Sequence, residues 1–261
     1  MKYLTLLLFL VLAVPTVAQR NSGLTNARII DLTHPFDGQS VYWPTAEAFK
    51  LETDFEGMTD KGYFYSAYRY SAAEHGGTHL DSPVHFAKGR HTVDQIPLQQ
   101  LIGPAIVIDV TQQCATNHDY QVGVADFQNW ERRNGTISPG TIVLLRTGFG
   151  KRYPDRQQYL GTDERGAQAV AKLHFPGLDP AAARWLTQNR SIKAIGLDTA
   201  SIDYGQSTLF ESHRILFEKN IPAFENVANL DQLPFKGFSV IALPMKIKGG
   251  SGGPLRIVAL L

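Results

Sequence analysis

Residues 75–85 read His75-Gly76-Gly77-Thr78-His79-Leu80-Asp81-Ser82-Pro83-Val84-His85, and the rest of the chain is organised around them. Three of the eight histidines and an aspartate fall in this stretch. Neutral imidazole and carboxylate are the ligands a divalent metal takes in an enzyme site, and the thiolate of a structural zinc site is absent here. Two glycines, a proline and Thr78 argue against a helix, so His75 and His79 are not an i, i+4 pair on one helical face. A strand end running into an ordered loop is expected instead. Residues two apart share a face of a strand, which sets His79 beside Asp81. The glycines allow the sharp turn that brings His75 onto the same centre. His85, beyond Pro83, can stand near the metal without binding it. One such histidine would read as an ordinary loop residue; the set, at this spacing, favours a metal centre.

In the form His-x-Gly-Thr-His-x-Asp-x-Pro-x-His-Phe, from His75 to Phe86, the segment resembles the signature of the cyclase family of metal-dependent hydrolases. That family includes bacterial kynurenine formamidase and isatin hydrolase. The resemblance continues in family order through Asp31-Leu32-Thr33-His34-Pro35, Tyr42-Trp43-Pro44, Gly196-Leu197-Asp198-Thr199 and Ala242-Leu243-Pro244, covering residues 27–261. It implies a swivelling β/β/α fold and an assembly of two or more copies that could complete the pocket across subunits.

Composition bounds the alternatives. At 261 residues and 43% hydrophobic, the chain can bury a full core as one domain, expected over residues 28–261. Lysine plus arginine number 25 against 24 acidic residues, and no basic block gives nucleic acid an electrostatic footprint. The lone Cys114 excludes an intramolecular disulfide and reads as a buried or incidental thiol. Lys2, the apolar run Tyr3 to Val14 and the small residues before Gln19 read as a signal peptide over residues 1–18, followed by a polar, flexible segment over residues 19–27. The apolar run is short for a bilayer span, so the mature protein is expected to be exported, periplasmic or secreted, with no stable membrane insertion.

Taken in order, apolar strands alternate with helical stretches, the pattern of a mixed α/β domain with flanking helices. Strands are expected at Arg28–Leu32, residues 62–73, Ala105–Val110, Thr141–Arg146, Ile192–Leu197 and Ile257–Leu261. Helices are expected at Val124–Asn134, closed by Gly135, at Asp179–Leu186 with Asp179 as N-cap and Pro180 at the first helical position, and at Glu211–Glu218. Residues 151–166 read as a surface loop, and the glycine-rich Lys248–Arg256 as a flexible loop before the last strand. Its Gly-Gly-Pro resembles the ending of isatin-hydrolase-like members more than that of the formamidase branch. His34 reads as a structural hydrogen-bonder and His91 as an exposed loop residue.

A metal on His75, His79 and Asp81 alone would keep open positions, which suits catalysis. Glu225, a charge among apolar residues, is a candidate for a metal-bound carboxylate if buried. The resemblance implies that His213 and Glu225 supply ligands to a second ion, with Asp81 bridging the two. Trp43 is the candidate for stacking on the substrate, or else ordinary loop packing. His85 is the candidate general acid/base, a role the resemblance also implies, or else a further ligand or orienting group. The expected cofactor is one or two zinc or manganese ions, and the expected substrate a small cyclic amide or aryl formamide. A lactone hydrolase of the same fold and a non-catalytic exported binding protein are the alternatives.

Overall fold

The computed structural model describes residues 27–261, so the expected signal peptide and nearly all of the segment after it lie outside the described residues. Among the described residues, twelve strands and seven α-helices follow in chain order. The strands are β1 (Ile29–Asp31), β2 (Lys50–Met58), β3 (Phe64–Ser71), β4 (His79–Asp81), β5 (Ile102–Asp109) and β6 (Gln121–Val122), then β7 (Ile142–Arg146), β8 (Gly177–Leu178), β9 (Ala194–Leu197), β10 (Ala223–Glu225), β11 (Phe238–Pro244) and β12 (Gly252–Leu260). The helices are α1 (Leu98–Leu101), α2 (Thr111–Thr116), α3 (Val124–Asn134), α4 (Arg156–Leu160), α5 (Ala167–Val170), α6 (Pro180–Asn189) and α7 (Glu211–Phe217).

Seven strands close on themselves in the order β12-β11-β5-β7-β9-β10-β4 and back to β12. Strand β12 closes the ring because it is long: Gly252–Pro254 pair with β4, while Val258–Leu260 pair with β1. The parallel strands β5, β7 and β9 are apolar along most of their paired length because both of their faces are buried. Val107, Leu144 and Ala194 point into the ring, where they meet Leu80, Phe224, Val240 and Ile257. Ile106, Val143, Leu145, Ile195 and Leu197 point outward and pack with Phe127 and Trp130 of α3, Ala182 and Leu186 of α6, and Leu216 and Phe217 of α7. Helix α3 ends at Gly135, whose φ of 89° favours glycine, and Asp179 caps α6 by accepting from the Ala181 N–H. The mixed α/β class with flanking helices is as expected.

Two segments differ from their sequence reading. Residues 151–166 hold the end of a 3-10 turn (Phe149–Arg152) and helix α4, capped by Asp155 and anchored by the buried Tyr159 and Leu160. Gly252–Pro254 belong to strand β12, held there by antiparallel pairing to β4. No helix of the described residues is long and apolar enough to cross a membrane.

The strand expected over residues 62–73 is β3, and it pairs only with β2 in a two-stranded hairpin outside the ring. Cross-strand partners share a face, so Leu51 and Met58 of β2 stand with Phe64, Tyr68 and Tyr70 of β3. All five are exposed.

Candidate metal centre

Strand alternation aims the site. Leu80 points into the ring, so His79 and Asp81 on either side of it point out, towards α7. On the neighbouring strand β10, Phe224 points inward and Glu225 outward, and Glu225 stands directly opposite His79 in the antiparallel register. Helix α7 brings His213 over the same spot. Gly76 places His75 at the edge of the cluster, where its backbone lies against the Tyr42 ring: a Cβ there would sit 2.0 Å from a ring carbon.

The side chains converge on two carboxylates. Asp81 Oδ1 lies 2.6 Å from His75 Nδ1 and 3.0 Å from His79 Nε2, while its Oδ2 lies 3.3 Å from His213 Nε2 and 4.0 Å from His85 Nε2. Glu225 is shared in the same way, with Oε1 3.1 Å from His213 and Oε2 3.5 Å from His79. The two oxygens of each carboxylate thus face different imidazoles.

The outer nitrogens are engaged elsewhere. His79 Nδ1–H donates to the Gly77 carbonyl at 3.0 Å, and Asn226 Nδ2–H donates to the same oxygen. His213 Nδ1–H donates to Asp203 Oδ2 at 2.6 Å. Their Nε2 atoms are then bare and turned towards the carboxylates, and among the described residues His79 Nε2 is buried without a hydrogen-bond partner. Imidazoles oriented by an outer oxygen, with a lone pair aimed at shared carboxylates, are the donor set of a divalent metal.

Charge leads to the same conclusion. Asp81, Asp203 and Glu225 are buried, and among the described residues only histidines form ion pairs with them. Burial opposes ionisation of Asp81, but the surrounding imidazoles hold its carboxyl well below the usual range. Burial and the neighbouring Asp81 charge push Glu225 up. Burial also opposes a charge on His79, yet the Asp81 and Glu225 carboxylates raise its pKa to about 9, so in place of a metal they would draw a proton onto the nitrogen that faces them. Buried carboxylates this close together need positive charge, which a divalent ion would supply. His79, Asp81 and Glu225 present ligand atoms close enough for one ion, as do His75, Asp81 and His85.

A cavity of about 280 Å³ opens beside the cluster, walled by Trp43, Phe86 and Phe210. His85 lies in it, stacked on His75 at 3.9 Å between ring centroids and bordered by the edge of Phe86. All seven residues singled out in the sequence (Trp43, His75, His79, Asp81, His85, His213 and Glu225) line this one cavity.

Sequence reasoning missed Asp203, which orients His213, and the aromatic walls Phe86 and Phe210. Asp203 carried no clear signal, since it ends the mostly polar stretch of residues 198–202 that follows β9. Phe210 gave none, since its neighbours Leu209 and Glu211 form no pattern. The His34 ring makes no hydrogen bond at Nε2 among the described residues; its main-chain N–H donates to Thr78 Oγ1, and the ring stacks on Tyr153. His91 is half-buried rather than exposed, because its N–H donates to Asn220 Oδ1 and its carbonyl accepts from Val84. Asp198 serves the fold: it accepts from Thr147 and from the Gly148 and Gly150 N–H groups, tying the turn after β7 to the end of β9.

A closed ring of strands with outer helices, carrying imidazoles and shared carboxylates beside an aromatic cavity, is the framework of a metal-dependent enzyme. The chain belongs to the cyclase family: the family model described as putative cyclase matches residues 30–204. An isatin hydrolase from Roseibium aggregatum is 31% identical over 260 residues, spanning 92% of this chain and 96% of that protein. A kynurenine formamidase from Polaromonas naphthalenivorans is 27% identical, spanning 92% of this chain and 94% of its own. Among solved structures, isatin hydrolase A from Labrenzia aggregata, bound to benzyl benzoate, superposes with a TM-score of 0.82 at 33% identity, covering 92% of this chain and 96% of that one.

Proposed function

We propose that this protein hydrolyses the C–N bond of a small cyclic amide of the isatin type, or of an aryl formamide. The observation that carries the reading is the convergence of bare imidazole nitrogens on Asp81 and Glu225 beside a cavity with aromatic walls. His75, His79, Asp81, His213 and Glu225 would hold one or two zinc or manganese ions, since mixed imidazole and carboxylate ligation suits both. A divalent ion there lowers the pKa of a water molecule and polarises the carbonyl it faces.

The remaining work falls to the chain's own residues. Trp43 and Phe86 flank a planar ring, and Asp203 keeps His213 in one tautomer. Burial pushes the pKa of His85 down to about 4, so at neutral pH the ring is unprotonated and able to accept. It takes a proton from the attacking water and returns it to the leaving nitrogen. One water is consumed and one C–N bond broken, leaving a carboxylic acid and an amine. A lactone would differ only in its leaving oxygen.

Two further parts of the reading concern the cell. Export is supported by the apolar run after Lys2 and the small residues up to Ala18. Assembly of two or more copies is supported by the exposed apolar face of the β2–β3 hairpin.

The experiment is a turnover screen of the metal-loaded protein on an isatin-type lactam, an aryl formamide and an aryl lactone. Turnover of the lactam or the formamide, abolished by a chelator and lowered roughly 10²- to 10⁴-fold in His85→Ala, is expected. Turnover of the lactone alone would favour the other leaving group. Full turnover in His85→Ala would remove that residue from the mechanism.

A further inference from the structure

The glycine-rich tail has no task in the reaction above, yet its serine reaches the metal cluster. Ser251 Oγ lies 2.9 Å from His75 Nε2 and 2.6 Å from Glu74 Oε2. The Ser251 N–H donates to the same Glu74 oxygen at 3.0 Å. On the opposite side, the Ser251 carbonyl accepts from Ser82 Oγ–H at 2.6 Å and from the Ser82 N–H at 2.9 Å. The flanking glycines make this approach possible. A Cβ on Gly250 would lie 2.7 Å from Glu74 Oε1, and one on Gly252 would lie 2.6 Å from His75 Cε1.

The direction of each hydrogen bond follows from the groups present. A carboxylate only accepts, so the single hydroxyl proton of Ser251 goes to Glu74. The Ser251 oxygen then accepts from His75, which places the His75 proton on Nε2. His75 Nδ1 is left bare, facing Asp81 Oδ1 at 2.6 Å. Two acceptors that close repel each other unless a proton or a metal ion lies between them.

We propose that Glu74 and Ser251 form a relay that holds His75 with Nε2 protonated and Nδ1 turned to the metal, making the glycine-rich tail a positioning element of the centre. The proposal rests on the reading of His75 as a metal ligand. It gives each of three imidazoles its own outer oxygen: Ser251 for His75, the Gly77 carbonyl for His79 and Asp203 for His213. The relay joins two parts of the chain far apart in sequence, which explains why neither Glu74 nor Ser251 stands out from its neighbours.

The test is zinc affinity by chelator competition, paired with the visible spectrum of the cobalt(II)-substituted protein. Ser251→Ala and Glu74→Ala are each expected to weaken zinc binding by roughly 10- to 100-fold, the effect typical of removing an outer partner of a ligand. Both should alter the cobalt spectrum, and Ser251→Thr, which keeps the hydroxyl, should restore most of the affinity. Wild-type affinity in Ser251→Ala and Glu74→Ala, with metal lost in His75→Ala, would overturn the relay while leaving His75 a ligand. Equal losses in Ser251→Thr and Ser251→Ala would also overturn it, since packing and not the hydroxyl would then be responsible. Wild-type affinity in His75→Ala would overturn the ligand reading and the relay together.

Discussion

Asp81 Oδ2 and His213 Nε2 lie 3.3 Å apart, although one belongs to strand β4 and the other to helix α7. The other oxygen of Asp81 faces His75 and His79, so this carboxylate connects the two halves of the cluster. Asp81→Asn keeps the shape and removes the charge. Metal content and turnover are both expected to fall, turnover by more than the roughly 100-fold that loss of an outer partner costs at most. Elemental analysis and steady-state kinetics on the same sample check this.

Asp203→Asn tests the support behind His213. Asp203 Oδ1 accepts from the Ser212 N–H at 3.1 Å, and Oδ2 accepts from the His213 N–H at 3.2 Å and from Nδ1–H at 2.6 Å. An asparagine must set its NH₂ against one of these donors. Zinc affinity should drop by roughly 10- to 100-fold. Unchanged affinity by chelator competition would show that His213 needs no such partner.

His34 makes stability depend on acid. Burial lowers its pKa from 6.5 to about 4, whereas in the unfolded chain it titrates near its ordinary value. Between those values the unfolded state binds the extra proton, so the His34 contribution is present above pH 6.5 and is lost as pH falls towards 4. His34→Phe keeps a ring against Tyr153 and cannot be protonated. Urea unfolding at pH 7 and pH 4 should show the variant losing about 2 kcal/mol less than the wild type over that interval. Identical losses would contradict the assignment.

The β2–β3 hairpin predicts an assembly. A two-stranded hairpin is marginal in water by itself. This one exposes Leu51, Met58, Phe64, Tyr68 and Tyr70 on one face, each between 46% and 65% accessible. Light scattering should find the wild type dimeric or larger and Phe64→Ser/Tyr68→Ser monomeric. A monomeric wild type would contradict this.

Much of the site was legible because it obeys strand alternation: His79 and Asp81 share a face whatever surrounds them. His213 came from the family resemblance and Glu225 from that and from its apolar neighbours, while the register opposing Glu225 to His79 could not be read from either strand alone. The hairpin was half legible. The aromatic alternation of β3 shows a strand, but Lys50–Met58 is mostly polar and charged, and takes its form from pairing with β3. The tail misleads for a related reason. Gly-Gly-Pro has poor strand propensity, yet Gly252 and Gly253 pair with β4, and a side chain on Gly252 would strike His75 and the Leu80 carbonyl. Helix α4 was hidden by its shortness, with only Tyr159 and Leu160 buried.

The most direct test of the central claim is the metal content of the purified protein, measured by elemental analysis beside His79→Ala. The account predicts about one or two equivalents of zinc or manganese in the wild type. It predicts their loss in the variant, because the buried His79 Nε2 has no hydrogen-bond partner among the described residues and is aimed at the shared carboxylates. A wild-type protein that is metal-free and that no divalent ion reconstitutes would contradict it.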